Sequence, residues 1–170
     1  VRPISGRIKQ SVFDIIAGLV PGAKVLDIFA GTGAVGIEAL SRGAEEAVFV
    51  DLSKACLKQI ELALEKTGFK ARGRVLMGNA LSDLSWLPFR GGVSQFDLIY
   101  MGPPYKDEEG RPLALSTPSL ARVAEAKLLA PKGWLMLQHH VKEPVEVPAG
   151  LDRFRQEKYG DTFVDFLRWK

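Results

Sequence analysis

The stretch Val25–Leu40, "VLDIFAGTGAVGIEAL", decides how the rest of the chain is read. Its first residues are an apolar run that reads as a short buried strand. Its last residues are spaced like an amphipathic helix. Between them Gly31, Gly33 and Gly36 form G-x-G-x-x-G, and glycine permits both the tight turn and a close approach of backbone to a ligand. Asp51 follows about 20 residues after Gly31, at the end of a second apolar run, "EAVFVDL". A strand, a glycine turn, a helix and an acid on the next strand describe a nucleotide-type site at the carboxyl end of a parallel sheet.

Outward from this block, strand and helix patterns alternate. "RIKQSVFDIIAGLV" places Ile8, Val12, Phe13, Ile15, Ile16 and Leu19 at helical spacing, which predicts an N-terminal helix over 7–20, closed by Pro21-Gly22. "SKACLKQIELALEKTG" predicts a helix with Ser53 as its N-cap. "RGRVLMGNA", "FDLIYM" and "GWLMLQHH" predict strands, and Leu120 to Leu129 a helix. "RFRQEKYGDTFVDFLRW" alternates about Tyr159-Gly160-Asp161 and predicts a closing antiparallel hairpin. The expected fold is one α/β domain over 1–170. It is a Rossmann-like, mostly parallel, twisted seven-stranded sheet with helices on both faces and a C-terminal hairpin.

Composition narrows the setting. The chain has 170 residues, 46% hydrophobic and 25% charged, with net charge +3. Cys56 is the single cysteine, so no intrachain disulfide forms. A reducing, cytoplasmic location is expected. No apolar run approaches the roughly 20 residues of a membrane span, and the start does not read as a signal peptide. Arg2, Arg7 and Lys9 precede the first acid, Asp14; they form either an RNA-phosphate contact or a solvated helix face.

Asp27 separates the two cofactor classes that share this architecture. A carboxylate at the mouth of the loop repels the pyrophosphate of a dinucleotide. It suits the ammonium and sulfonium of S-adenosylmethionine (SAM). An acid, three residues, then G-x-G is the usual SAM arrangement, and SAM is the expected cofactor. Asp51 is placed to accept from a ribose diol. Asn79 and the Ala80 N–H are placed to read the adenine edge, with a turn-forming Asn79 as the alternative.

The fourth predicted strand ends abruptly at Gly102-Pro103-Pro104-Tyr105. Two prolines cannot continue a central strand, so a stiff corner carries an aromatic ring away from the sheet. Methyltransferases acting on exocyclic amines of bases carry Asp/Asn-Pro-Pro-Tyr/Phe at this place. The chain as a whole resembles the RsmD family of bacterial 16S ribosomal RNA guanine-N2 methyltransferases. The resemblance rests on Arg2, Pro3 and Arg7 in "RPISGRIKQSVFDII", on Asp27 through Arg42 in "DIFAGTGAVGIEALSR", and on "GNA" at 78–80.

The resemblance implies a class I SAM-dependent fold. Its cofactor site would be formed by Asp27, Phe29, Ala30, Gly31, Thr32, Gly33, Gly36, Asp51, Leu52, Asn79 and Ala80. The catalytic corner would be Gly102, Pro103, Pro104 and Tyr105, and the substrate contacts Arg2, Arg7, Lys9 and Tyr105. The implied partner is 16S rRNA or the assembled small ribosomal subunit, met by a monomer without metal or membrane. Gly102 departs from the pattern, because the family's side-chain acceptor is missing there. The family's basic segment ahead of Arg-Pro is also missing, so an N-terminal segment is expected to precede Val1.

Two readings from other classes stay open: a SAM-retaining, non-catalytic RNA- or ribosome-binding module, and an amine methyltransferase for DNA or a small molecule. His139-His140 lacks the further ligands a metal site needs, and His140 is placed to line the substrate cleft. Trp86, Trp134 and Trp169 read as packing residues. "KDEEGR" reads as either an exposed turn or a mobile loop over substrate.

Overall fold

The computed structural model describes residues 4–170, so the contacts expected of Arg2 and Pro3 lie outside the described residues. Five parallel strands carry the sheet: β1 (Lys24–Ile28), β2 (Glu46–Asp51), β3 (Gly73–Met77), β4 (Phe96–Met101) and β5 (Leu129–His140). The hairpin β6 (Leu151–Tyr159) and β7 (Thr162–Trp169) adds two antiparallel strands, giving the order β3-β2-β1-β4-β5-β7-β6. Because β2 and β4 flank β1 and the chain reverses direction across the sheet there, the carboxyl ends of β1 and β4 open onto one crevice.

Side-chain alternation sorts the core into two layers. From β1 and β2, Val25, Ala47 and Phe49 face one side, under α1 (Gly6–Ile16), α2 (Ala34–Ser41) and α3 (Lys54–Thr67). Leu26, Ile28, Val48 and Val50 face the other, under α4 (Leu87–Gly91) and α5 (Ser116–Glu125). A sheet buried on both faces is why these strands read as continuous apolar runs rather than as an alternation of apolar and polar residues. Trp134 stacks edge-on against Phe154 at 4.7 Å, and Trp169 Nε1 donates to the Leu129 carbonyl at 2.8 Å, so both act as packing residues.

Boundaries moved where local chemistry was hidden. The helix expected over 120–129 runs instead from Ser116 to Glu125, with Pro118 in its first turn. It stops because Lys127 takes a left-handed φ of 55° and the Leu128 N–H reaches back to the Val123 carbonyl. That closure normally uses glycine, so the lysine concealed it, and Leu129 already belongs to β5. The N-terminal helix ends at Ile16 and continues as a 3-10 turn over Ala17–Leu19. The short α4 went unpredicted.

Candidate functional site

The glycine turn is shaped by backbone strain and close packing. Phe29 has φ 58°, Gly31 57° and Gly33 78°, so three of five consecutive residues are left-handed and the chain can turn sharply from β1 into α2. A left-handed phenylalanine is costly and persists only where its surroundings hold it. Gly36 answers a different need: an added Cβ would lie 2.3 Å from the Phe49 ring, so only glycine lets α2 pack on β2.

The two acids read from the sequence hold this turn together. Asp27 is buried, and its Oδ2 accepts the Gly36 N–H at 3.0 Å. Burial pushes its carboxyl up to about 8 against the pull of that bond, with the Asp51 charge adding to the rise. Asp51 Oδ2 accepts the Gly31 N–H at 2.9 Å, and Oδ1 accepts the Ser53 N–H at 2.9 Å. Each oxygen keeps a second lone pair for a ribose hydroxyl. Asn79 Oδ1 accepts the Leu81 N–H at 2.9 Å, which is the turn-forming role; its amide NH₂ has no protein partner among the described residues.

A cavity of about 630 Å³ joins these residues to the corner. Phe29, Asp51, Leu52, Asn79 and Ala80 line one part, and Gly102, Pro103, Pro104 and Tyr105 another. A smaller cavity beside it is lined by Asp27, Ala30, Gly31, Thr32, Tyr100, Gly102 and Gln138. Phe29, Gly102 and Gln138 belong to both. The sequence-predicted cofactor residues and the catalytic corner therefore meet in one place. Gly33 and Gly36 contribute through backbone shape rather than by lining the cavities.

Residues SAM would need are present on structural grounds. A desolvated carboxyl with a single N–H partner borders a cavity and is stabilised in its charged form by a cation. That would suit the methionine end of SAM, and Asp51 and Asn79 keep spare acceptors and donors that could hold a nucleoside.

Tyr105 is held as well as presented. Gln138 Nε2 donates to its hydroxyl at 2.9 Å, Gln138 Oε1 accepts from the Tyr100 hydroxyl, and Thr162 Oγ1 lies 3.5 Å from the Tyr105 oxygen. His140 stands behind the ring, edge-on at 5.9 Å, and is not itself among the lining residues. Sequence reasoning missed Gln138, Tyr159, Asp161 and Thr162. They come from β5 and the hairpin, and only the strand order brings them to the cleft.

Of the basic opening, Arg7 is exposed, whereas Lys9 pairs with Glu38 at 3.4 Å. The "KDEEGR" segment is a tied turn, with Asp107 accepting the Glu109 and Arg111 N–H groups and the Arg111 guanidinium. Among the described residues no three His, Cys, Asp or Glu side chains converge as metal ligands, and no helix is long and apolar enough to cross a membrane.

Comparison with known proteins agrees with this geometry. The family model described as "Conserved hypothetical protein 95" matches residues 1–168. YlbH of Bacillus subtilis is 31% identical over 166 residues, covering 96% of this chain and 85% of YlbH. The Ribosomal RNA small subunit methyltransferase D of Escherichia coli is 31% identical over 153 residues, covering 89% of this chain and 67% of that protein. The solved structure of yhhF from Escherichia coli superposes with a TM-score of 0.80 at 23% identity, covering 100% of this chain and 88% of that one. A family model spanning nearly the whole chain, two relatives at 31% identity and the strand order together show that the chain belongs to the RsmD-type family of class I methyltransferases.

Proposed function

We propose that the protein transfers a methyl group from SAM to the exocyclic N2 amine of a guanine in 16S rRNA, as a cytoplasmic step in small-subunit maturation. The observation that carries this reading is a pair of adjoining cavities that share Phe29, Gly102 and Gln138: the glycine turn lines the smaller one, and Gly102-Pro103-Pro104-Tyr105 lines the larger together with Asp51 and Asn79. SAM, when bound, supplies an electrophilic methyl on its sulfonium. The chain's residues do the rest by placement. Asp27 neutralises the cationic methionine end, and Asp51 and Asn79 fix the nucleoside.

At the corner, the prolines lock φ and so aim the Pro103 carbonyl at the amine protons. An amine conjugated with its ring is a poor nucleophile; accepting its protons raises electron density on nitrogen, and in-line placement supplies much of the remaining rate. Tyr105, held by Gln138, gives the unstacked base a flat surface.

The test is transfer of tritium from labelled SAM to small subunits, naked rRNA and DNA in parallel, followed by nucleoside analysis. N2-methylguanosine in 16S rRNA is the expected product. Label confined to DNA, or to no nucleic acid, overturns the reading.

A further inference from the structure

Gly102 gives the corner no side-chain acceptor, yet a carboxylate lines the same cavity from another part of the chain. Asp161 sits in the turn between β6 and β7, next to Thr162, and both line the cavity with Gly102 and Tyr105. Resting on the guanine-amine reading above, we propose that Asp161 reads the Watson–Crick edge of the guanine and supplies the carboxylate that position 102 lacks.

The turn is built to hold that side chain. Gly160 takes φ 62°, which allows Tyr159 and Thr162 to pair directly across a two-residue connection. The Asp161 carbonyl accepts the Val141 N–H at 2.9 Å, anchoring the turn to the end of β5. His140 faces the carboxylate. Its Nδ1 accepts the Lys142 N–H at 3.0 Å, so the neutral ring carries its proton on Nε2, which lies 3.5 Å from Asp161 Oδ2. His140 is thus a positioning residue for Asp161, and the same ring backs Tyr105. Tyr105 in turn reaches Thr162, the neighbour of Asp161. A base lying on Tyr105 therefore has the hairpin turn at its edge.

Guanine offers two parallel donors on that edge, N1–H and one N2–H, which match the two oxygens of a carboxylate. Adenine offers a ring lone pair at N1, which a carboxylate repels. Accepting the N2–H also does the work assigned to the missing acceptor. The N2 lone pair forms the new N–C bond, and the S–CH₃ bond breaks with its pair going to sulfur. The N2 proton passes to the Asp161 carboxylate and on to solvent. Asp161 is largely exposed at 77% of its side chain, so its replacement leaves the fold intact.

The test compares guanine with 2-aminopurine, which keeps the N2 amine but has a lone pair instead of a proton at N1. Small subunits are reconstituted with either base at the nucleotide the wild type methylates, and single-turnover transfer from labelled SAM is measured. The wild type is expected to favour guanine by about ten- to hundredfold. Asp161→Ala and Asp161→Asn should lose a similar factor on guanine and bring the base ratio close to one, with SAM affinity unchanged. A variant that keeps both the rate and the guanine preference overturns the assignment. A wild type that methylates no small-subunit guanine fails earlier and overturns the reading beneath it.

Discussion

Asp27 and Gly36, nine residues apart, are joined by a hydrogen bond of 3.0 Å that fastens the end of β1 to the first turn of α2 beneath the glycine loop. Because Asp27 is buried there, its carboxyl sits at about 8 instead of the ordinary 3.8. Between those limits the folded protein holds a proton that the unfolded chain releases, so this group makes stability fall as pH rises from about 4 to about 8. A bound cation favours the ionised form. SAM binding should therefore release close to one proton at neutral pH. Affinity should rise by up to about tenfold per unit until the carboxyl ionises near 8, then level off. Calorimetry in buffers of different ionisation enthalpy reads the proton directly. Asp27→Asn should bind SAM more weakly and without this pH slope, whereas NAD should bind neither form. Equal SAM affinity in the variant contradicts the role given to Asp27.

A second buried pair joins β5 to β7 of the hairpin, His139 Nε2 to Asp165 Oδ2 at 2.8 Å. Burial pushes the Asp165 carboxyl up, but His139, Gln156 and Arg153 outweigh it and leave it below 3.8. Burial pushes the His139 imidazole down, but the Asp165 bond and charge leave it above 6.5. Stability from Asp165 is present above 3.8 and lost as pH falls through its lower folded value; that from His139 is present below 6.5 and lost as pH rises through its higher one. The pair contributes most between these limits. Asp165→Ala should cost about 3–5 kcal/mol near pH 6, because it leaves His139 buried and unpaired. Thermal melts across pH should show the loss shrinking at both extremes.

Much of this was legible in the sequence. Gly31, Gly33 and Gly36 marked a turn because its left-handed angles and the Phe49 contact tolerate little else. Ser53 capped its helix as read, accepting the Cys56 N–H. What stayed hidden depended on partners distant in sequence. Asp27 and Asp51 read as ligands for a cofactor, while their first partners are backbone N–H groups, of Gly36 in α2 and of Gly31 in the loop. Asn79 offered two roles, and its oxygen took the local one. Gln138 and Asp161 carry no motif, and they join the site through a strand order that places β7 beside β5.

Arg7 and Lys9 should differ in their contribution to RNA binding, although the sequence presents them alike. Arg7 is exposed, whereas Lys9 is committed to Glu38, whose carboxyl is held low by Arg42 and then by Lys9. Arg7→Glu should weaken RNA binding and lower the salt slope by about one, and Lys9→Ala should change it little. SAM affinity should be untouched in both. Equal salt slopes for the wild type and Arg7→Glu would assign Arg7 to a solvated face.

Gly102→Asp tests the corner itself. An added Cβ meets only one Tyr100 ring carbon, at 3.3 Å, and the backbone there is not left-handed, so a side chain fits with a small shift of that ring. The new carboxylate would accept from the N2 amine beside the Pro103 carbonyl. A hydrogen bond of that kind is worth about 1.5–3 kcal/mol, so single-turnover methylation should rise by about ten- to hundredfold, with SAM affinity nearly constant. Tyr105→Ala should act in the opposite direction, mainly through substrate positioning, because it removes both the flat surface and the hydroxyl that Gln138 holds. If Asp161 fills the vacant role, the two carboxylates are partly redundant. Gly102→Asp should then accelerate Asp161→Ala by a larger factor than it accelerates the wild type, a coupling that a double-mutant cycle isolates. Loss of activity in Gly102→Asp alone would instead mean that the glycine makes room for the base.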